Sequence, residues 1–410
     1  MAGEACGSSS CLGRGCGRKL NIKAAAKLQT APTQHSKIKM ILVLTANPKS
    51  KSLIRVQINQ MQMKLVVLRI AKWLGIFGLA RHLTRGRLRI LCYHGFCLAD
   101  EASFRPKLFI DGPTFERRLG ILKGMGCEVL SLQDALQRLD DGIMPALPVV
   151  LTMDDGWYSS YSIGVPIAEK FAYPVTIYVT SYYVEKQCPI FRLAVQYMFW
   201  KTNRTTIPAG EWDWVGKVAI DLADHKIRDE VMWRSIKFGE ARTSQGEREQ
   251  IARRIGKTLD VTYEALESSR SMSLMTPDEV RAAYDRGVDI QLHTHRHSFL
   301  LGDPGSLATE VTDNRESLAR MTSRSLTHFC YPSGQWNPSC LPILAGLGVQ
   351  SATTCEPGFS TRMSLRLALP RFLDGSNICA IEFEAELSGV LELARILRSR
   401  LRMAGSQSPA

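Results

Sequence analysis

Two stretches of the chain carry side chains whose types and spacing suit hydrolytic chemistry. The first is Val149-Val150-Leu151-Thr152-Met153-Asp154-Asp155-Gly156-Trp157, an apolar run that ends in two adjacent carboxylates and a glycine. The second is Asp289-Ile290-Gln291-Leu292-His293-Thr294-His295-Arg296-His297, an apolar run that ends in three histidines at alternate positions. Each run is too short for a helix of its own and reads as a buried strand that opens into a polar site at its C-terminal end. Neighbouring strand residues face opposite sides, so Asp154 and Asp155 cannot share one task unless the chain turns, and Gly156 supplies that turn. Asp-Asp-Gly alone is equally well explained as an Asx turn after a core strand; the histidine stretch is what makes it a candidate site. In an extended strand His293 and His297 stand about 13 Å apart, too far to share a cation. One curl of the chain puts positions i and i+4 on the same face and leaves His295 out. Two imidazoles and one carboxylate then form a three-donor set with room for water, the pattern of a catalytic zinc, and the other carboxylate is free to act as a base. Such a pairing suits attack of water on an unactivated carbonyl, an amide or an ester.

The elements that position these residues alternate. Arg89 to His94 reads as a strand, Gly112 to Gly126 as a helix, Cys127 to Leu130 as a strand and Leu132 to Leu139 as a helix. The Asp-Asp strand follows, then a helix from Val165 to Phe171 and a strand from Pro174 to Val179. Residues 182–270 break the rhythm with Trp-rich and charged helical segments, an insertion whose natural role is a lid or substrate selector. Thr276-Pro277-Asp278-Glu279 restarts it with an N-cap, a proline at the first helical position and a glutamate at the third. Strands are expected at Val288 to Leu292, Leu326 to Tyr331 and Val349 to Thr353, with helices at Leu307 to Met321 and Pro338 to Leu347. This order predicts an α/β fold with a parallel sheet, open or closed into a barrel, and chemistry at the C-terminal strand ends. His94, Asp154, Asp155, His293 and Pro332 all fall there.

The net charge of +13 is unevenly placed: residues 1–90 hold 17 Lys and Arg against Glu4 alone, and the remaining 35 basic and 38 acidic residues nearly cancel. The body is therefore no nucleic-acid surface, and no specific nucleic-acid partner is expected. Residues 1–62 read as a disordered basic extension with no secretory signal, and Met61 or Met63 is a candidate start. Residues 63–85 read as an amphipathic helix interrupted by Arg69 and Lys72, too short in its uncharged run to span a bilayer, which either docks on the domain or lies as a peripheral contact on an anionic membrane face. Residues 86–385 form the main domain and 386–410 a C-terminal helix and tail. The 11 cysteines, without Cys-x-x-Cys pairs in the body, fit free thiols in a reducing, cytoplasmic setting. Cys6, Cys11 and Cys16 lack the partners of a zinc site.

Over roughly residues 86–375 the chain resembles the polysaccharide deacetylases of the nodulation type, carbohydrate esterase family four. Thr152-Met153-Asp154-Asp155-Gly156 is similar to the family's Thr-Phe-Asp-Asp-Gly stretch, and His293-Thr294-His295-Arg296-His297 to its His-Ser/Thr-x-x-His stretch. Phe329-Cys330-Tyr331-Pro332-Ser333-Gly334-Gln335-Trp336-Asn337 and Leu91-Cys92-Tyr93-His94 resemble the branch that reads Phe-Ala-Tyr-Pro-Tyr-Gly. The resemblance implies a distorted (β/α) barrel of seven or eight strands. It implies one divalent metal, zinc first with cobalt or nickel as alternatives, held by Asp155, His293 and His297, with Asp154 as the base. It implies an N-acetylated sugar of a polysaccharide, oligosaccharide or glycolipid as substrate, and the Ser333 backbone N–H as oxyanion donor. Cys330 stands where the family's better-known branch has an arginine that tethers the base, and Arg371 is the candidate substitute. The family's late Leu-x-His acid has no counterpart, because no histidine follows His328; His94 is the candidate in its place. Trp157, Tyr331, Pro332 and Trp336 are the candidate substrate contacts. Competing readings are a carbohydrate-binding homologue with a weakened site and a metal amidohydrolase for a non-sugar amide. If Met61 or Met63 starts the chain, N-terminal mass spectrometry of the native protein detects no peptide from residues 1–60.

Overall fold

Strand and helix alternate from Arg89 onward, and every pairing in the main sheet is parallel. The computed structural model describes residues 62–405. The basic extension and the Cys6, Cys11 and Cys16 set lie outside them. Two helices come first, α1 (62–73) and α2 (Ile76–Leu83), separated at Gly75, whose φ of 77° suits glycine. The alternation runs β1 (Arg89–Tyr93), α3 (Gly112–Gly124), β2 (Glu128–Val129), α4 (Leu132–Asp141), β3 (Pro148–Met153), α5 (Val165–Lys170) and β4 (Val175–Val179). After α6 (Ser181–Lys186) comes a largely helical excursion of α7 (Phe191–Lys201), α8 (His225–Glu240), α9 (Gln245–Leu259) and α10 (Tyr263–Ser269). It has apolar contents of its own, including buried Trp212 stacked on Trp214.

The rhythm resumes with α11 (Pro277–Asp285), β5 (Asp289–Leu292), α12 (Pro304–Ala319), β6 (His328–Cys330), α13 (Cys340–Gly346), β7 (Ser351–Thr353) and β8 (Phe372–Leu373). It ends with α14 (Ala380–Ser388) and α15 (Val390–Gly405). The start of α11 is capped as its spacing predicts: Glu279 N–H donates to Thr276 Oγ1 and Thr276 N–H to Glu279 Oε2, at 3.2 and 2.8 Å.

The strand order is β7-β6-β5-β4-β3-β1-β8, with β2 beside the first residues of β3. The strands are almost wholly buried, which is why they read as unbroken apolar runs. One segment near the C-terminus brings the two ends of this order together. Leu369 N–H donates to Ala352 O and Thr354 N–H to Leu369 O, tying the segment to β7; three residues later Phe372 pairs with Leu91 of β1. A single stretch serving two neighbours makes the barrel irregular there, so the architecture is the distorted (β/α) barrel that the alternation and the resemblance anticipate.

β6 is shorter than its apolar pattern suggests. The backbone N–H groups of Thr327 and His328 donate to the side-chain Oε1 of Gln291, at 3.1 and 2.9 Å, so a side chain substitutes for the ladder between β5 and β6. Leu369 is fully buried on the closing segment, whereas Leu365 is exposed at its start. Leu369→Ala should lower unfolding stability by about 2–5 kcal/mol in denaturant titrations, and Leu365→Ser by no more than about 0.5 kcal/mol.

Candidate active site at the barrel rim

Strand β3 delivers the two carboxylates, and the backbone then separates them. Asp154 N–H donates to Tyr93 O at 2.9 Å, holding it in line with the sheet. Asp155 has φ of 70° and Gly156 φ of 85°. The turn therefore begins at Asp155 itself, one residue earlier than the glycine indicates; aspartate tolerates the left-handed region better than most residues. A Cβ on Gly156 would lie 3.0 Å from Val179 Cγ1, so β4 also presses the chain there. The consequence is that Asp154 points into the barrel and Asp155 towards the strand end of β5.

The histidines arrive on a loop, without the helical turn expected. Thr294 and His297 both adopt positive φ, 62° and 58°, and these two kinks bring the rings of His293 and His297 to 4.9 Å between centroids. His295 is turned out, with Nδ1 2.8 Å from Ser181 Oγ. Helix α12 pins this loop from below. Asn314, fully buried, accepts from His293 N–H at 2.9 Å and donates to Val179 O, while Glu310 accepts from Arg296 N–H at 2.7 Å. Neither residue stood out in the sequence. Their signal is positional: they occupy the apolar stripe of α12, beside Leu307, Val311 and Leu318, where an unexplained polar residue needs a buried partner.

Asp155 Oδ1 lies 3.2 Å from His293 Nε2 and 3.1 Å from His297 Nε2. Its Oδ2 accepts from the indole N–H of Trp157 at 2.9 Å, which leaves Oδ1 for the imidazoles. Nδ1 of His293 lies 2.8 Å from Cys330 O, and a carbonyl only accepts, so Nδ1 carries the proton. The Nε2 lone pair of neutral His293 thus faces a carboxylate oxygen, an arrangement that needs a proton or a cation between them. Burial would lower the pKa of His293, but its bond to Asp155 and the charges of Asp154 and Asp155 raise it on balance. The two distances from Asp155 Oδ1 match the edge of a small tetrahedron, about 3.3 Å for bonds of ~2.0–2.1 Å, and all three donors lie within 4.8 Å of one another, a set that fits a divalent metal. The bond from His293 Nδ1 to the Cys330 carbonyl fixes the ring's orientation, the usual support for such a ligand.

Two further groupings, Cys92-His94-Asp154 and Asp154-His293-Cys330, are close enough to be considered. Their chemistry does not suit a cation. Burial pushes both thiols well above the usual thiol range, and Asp154, common to both groupings, is committed elsewhere.

That commitment is to Arg371, on the segment that closes the barrel. Its Nη1 and Nη2 donate to Asp154 Oδ1 and Oδ2, both at 2.7 Å, a bidentate pair with arginine fully buried. Nη1 also reaches Thr152 Oγ1 at 3.1 Å, Nη2 reaches Cys330 Sγ at 3.1 Å, and Nε donates to Thr354 O at 2.9 Å. The thiols of Cys92 and Cys330 each lie 3.4 Å from Asp154 Oδ2. Burial alone would raise the pKa of Asp154; the guanidinium outweighs it and holds the carboxyl well below the usual range.

The site opens into a cleft of about 830 Å³, lined by His94, Pro332 and Ser333 on the barrel side and by Tyr183, Arg192 and Glu240 from α6, α7 and α8. His94 Nε2 is 3.9 Å from Asp154 Oδ2. Burial lowers its pKa, so the ring is neutral, and its Nδ1 is buried without a partner among the described residues. Ser333, exposed and with φ of 55°, has a backbone N–H with no acceptor among the described residues.

Of the expected substrate contacts, Pro332 and Trp157 are among the cleft-lining residues, whereas Tyr331 and Trp336 are not. Trp157 is only 2% exposed, packed edge-on against Phe109, and its polar edge is spent on Asp155. Tyr331 is fully buried with its hydroxyl on Leu367 O. Trp336 is partly buried, stacked on Tyr331 and bonded to Glu356, away from the cleft lining. The loop tryptophans look exposed in sequence because their neighbours are polar; tertiary packing turns their faces inward.

Fold and site together define a (β/α) barrel with a candidate three-donor set at the C-terminal ends of its strands. The polysaccharide deacetylase family model matches residues 142–352, just over half of the chain, and the protein belongs to that family. A Bacillus subtilis protein, YxkH, provisionally named as a polysaccharide deacetylase, is 29% identical over 98 residues, 24% of this chain. The match spans only 35% of that relative. Among solved structures, the Streptococcus pyogenes deacetylase PplD in complex with acetate is 18% identical with a TM-score of 0.49, covering 74% of this chain and 99% of that one. IcaB from Ammonifex degensii is 16% identical with a TM-score of 0.46, covering 74% and 97%.

Arg371→Met should cost about 3–5 kcal/mol at neutral pH, because it strands a buried carboxylate. In the parent the depressed pKa of Asp154 contributes stability above its unfolded pKa of ~3.9 and loses it as pH falls. The difference between variant and parent should therefore hold from pH 7 to about pH 4 and narrow in denaturant titrations taken below that.

Proposed function

We propose that the protein is a metal-dependent deacetylase of N-acetylated sugars, of the branch marked by Phe329-Cys330-Tyr331-Pro332, with Asp155, His293 and His297 as the metal ligands. The observation that carries this reading is the convergence of two imidazole Nε2 atoms on one oxygen of Asp155, with a separately held carboxylate beside it. Zinc suits the set, with cobalt or nickel as alternatives. When bound, the cation polarises an acyl oxygen and makes water a stronger acid.

The chain's own residues supply the remaining parts. Asp154 accepts the proton of the attacking water. Its bidentate bond to Arg371 uses one lone pair of each oxygen, and a carboxylate has about four, so acceptor capacity remains. A carboxylate held so acidic is a weak base, adequate only where water has been acidified, which is why the base and the cation site must be neighbours. The unbonded Ser333 N–H faces the cleft and stabilises the developing oxyanion. His94 Nε2, neutral and close to Asp154, receives the proton from that carboxyl and passes it to the departing amine. The cost of Arg371 being buried is met by five donors each with an acceptor; its role is to position Asp154 and keep it ionised. The wall formed by Tyr183, Arg192 and Glu240 is where the excursion helices would select among glycans.

Acetate release from a panel of N-acetylated oligosaccharides and glycolipids tests this directly. The zinc-loaded parent should release acetate and lose that activity to a chelator, and Asp154→Asn should reduce the rate by about 10²–10⁴-fold while retaining metal. Absence of acetate release from every substrate by protein that holds one metal per chain would favour a binding role instead.

A further inference from the structure

Helix α1 is amphipathic in the reverse sense for a helix resting on a barrel. The side against the protein carries Lys64 and Lys72, which pair with Glu382, at 2.8 Å, and with Glu384 of α14; buried Leu68 lies in the same contact. The opposite side carries Val66, Val67, Ile70, Trp73 and Leu74, spaced as one helical stripe and all exposed, Trp73 by 84%. Helix α2 continues the exposed face with Ile76, Leu79 and Leu83 while Phe77 and Ala80 turn inward, and α15, packed on α2, adds exposed Leu397 and Leu401. An apolar face this continuous is unusual on a monomer surface facing only water.

The charges that accompany it have one sign. Residues 62–88 and 393–405 contain no aspartate or glutamate. Arg69, Arg85, Arg398 and Arg400 are exposed, and none has an ion pair among the described residues. A second copy of the chain docked through the same face would bring these arginines against their own counterparts. A plane of anionic headgroups over hydrocarbon complements them. No described helix is long and apolar enough to cross a membrane, so the contact is interfacial.

We propose that α1, α2 and α15 form a preset surface that seats the protein on an anionic lipid bilayer, with Trp73 and the α1 stripe at the headgroup boundary and the arginines among the phosphates. The two inward lysine pairs act as struts: they fix the rotation of α1 so that its apolar stripe faces out before any lipid is met. Tryptophan is well suited to that depth, since its ring is apolar with one polar edge.

The test is vesicle flotation of the full chain on phosphatidylcholine alone and on phosphatidylcholine with roughly a third phosphatidylglycerol, a level that gives a strongly negative surface. The parent should float with the anionic vesicles and largely fail to float with the neutral ones. Val67→Ser/Ile70→Ser/Trp73→Ser, which alters only exposed positions, should weaken anionic flotation by at least about tenfold while leaving circular dichroism unchanged. Undiminished flotation of this variant, or no flotation of the parent, would overturn the proposal. So would a lipid-free dimer of the parent that sedimentation equilibrium shows to dissociate in the variant, since a second copy would then cover the face.

Discussion

The buried pair between Arg371 and Asp154 is the interaction on which the rest of the structure turns. It joins the end of β3, at the middle of the strand order, to the segment that brings the order's two ends together. Closing the barrel and fixing the Asp154 carboxylate are therefore one event. A guanidinium removed from water is tolerable only when its donors are satisfied, and every one of them has a partner: two carboxylate oxygens, a hydroxyl, a thiol and a backbone carbonyl. Because those partners come from β3, from β6 and from the loop after β7, the arginine also ties β3 to two strands with which it shares no direct ladder.

The separation of two adjacent aspartates follows from the same economy of backbone. An ordinary strand would set Asp154 and Asp155 on opposite faces and leave one of them in the wall of the barrel. The left-handed conformations at Asp155 and Gly156 redirect the second carboxylate to the rim, and Trp157 then occupies one of its oxygens. One acid is thus shielded and tethered to a cation of the protein, the other presented to imidazoles. Their chemical roles differ because their partners differ, not because their sequence positions do.

Support for the histidines comes from the layer behind them. Asn314 and Glu310 hold the backbone of the 293–297 loop, and the carbonyl of Cys330 sets the tautomer of His293. Two residues in strained backbone conformations are affordable there because that shell fixes them. Of the excursion helices, α7 and α8 reach the cleft, where Arg192 and Glu240 form part of one wall away from the two aspartates and the histidines.

The local order of strands and helices was legible because the strands are apolar on both faces and are punctuated by turn chemistry, as at the Thr276 to Glu279 cap. The donor set was legible for a related reason: apolar runs that stop abruptly at Asp154-Asp155 and at His293 leave few tasks for those residues except a site. Their conformation was not. The pairing of His293 with His297 arises from two left-handed residues in a loop and from contacts to α12, 14 and 21 residues further along, so periodicity suggests a helical turn that does not exist. Arg371 could be proposed as a tether only by its place in the chain. Its bond to Asp154 depends on the segment that closes the barrel. Trp157, Tyr331 and Trp336 show the limit most plainly, since their sequence surroundings describe an open loop while their rings are packed. Sequence determines what a residue can do and which secondary element carries it, through side-chain chemistry and local periodicity. Which partner it meets, and which face is hidden, is decided by contacts between distant segments, and those exist only once the barrel has closed.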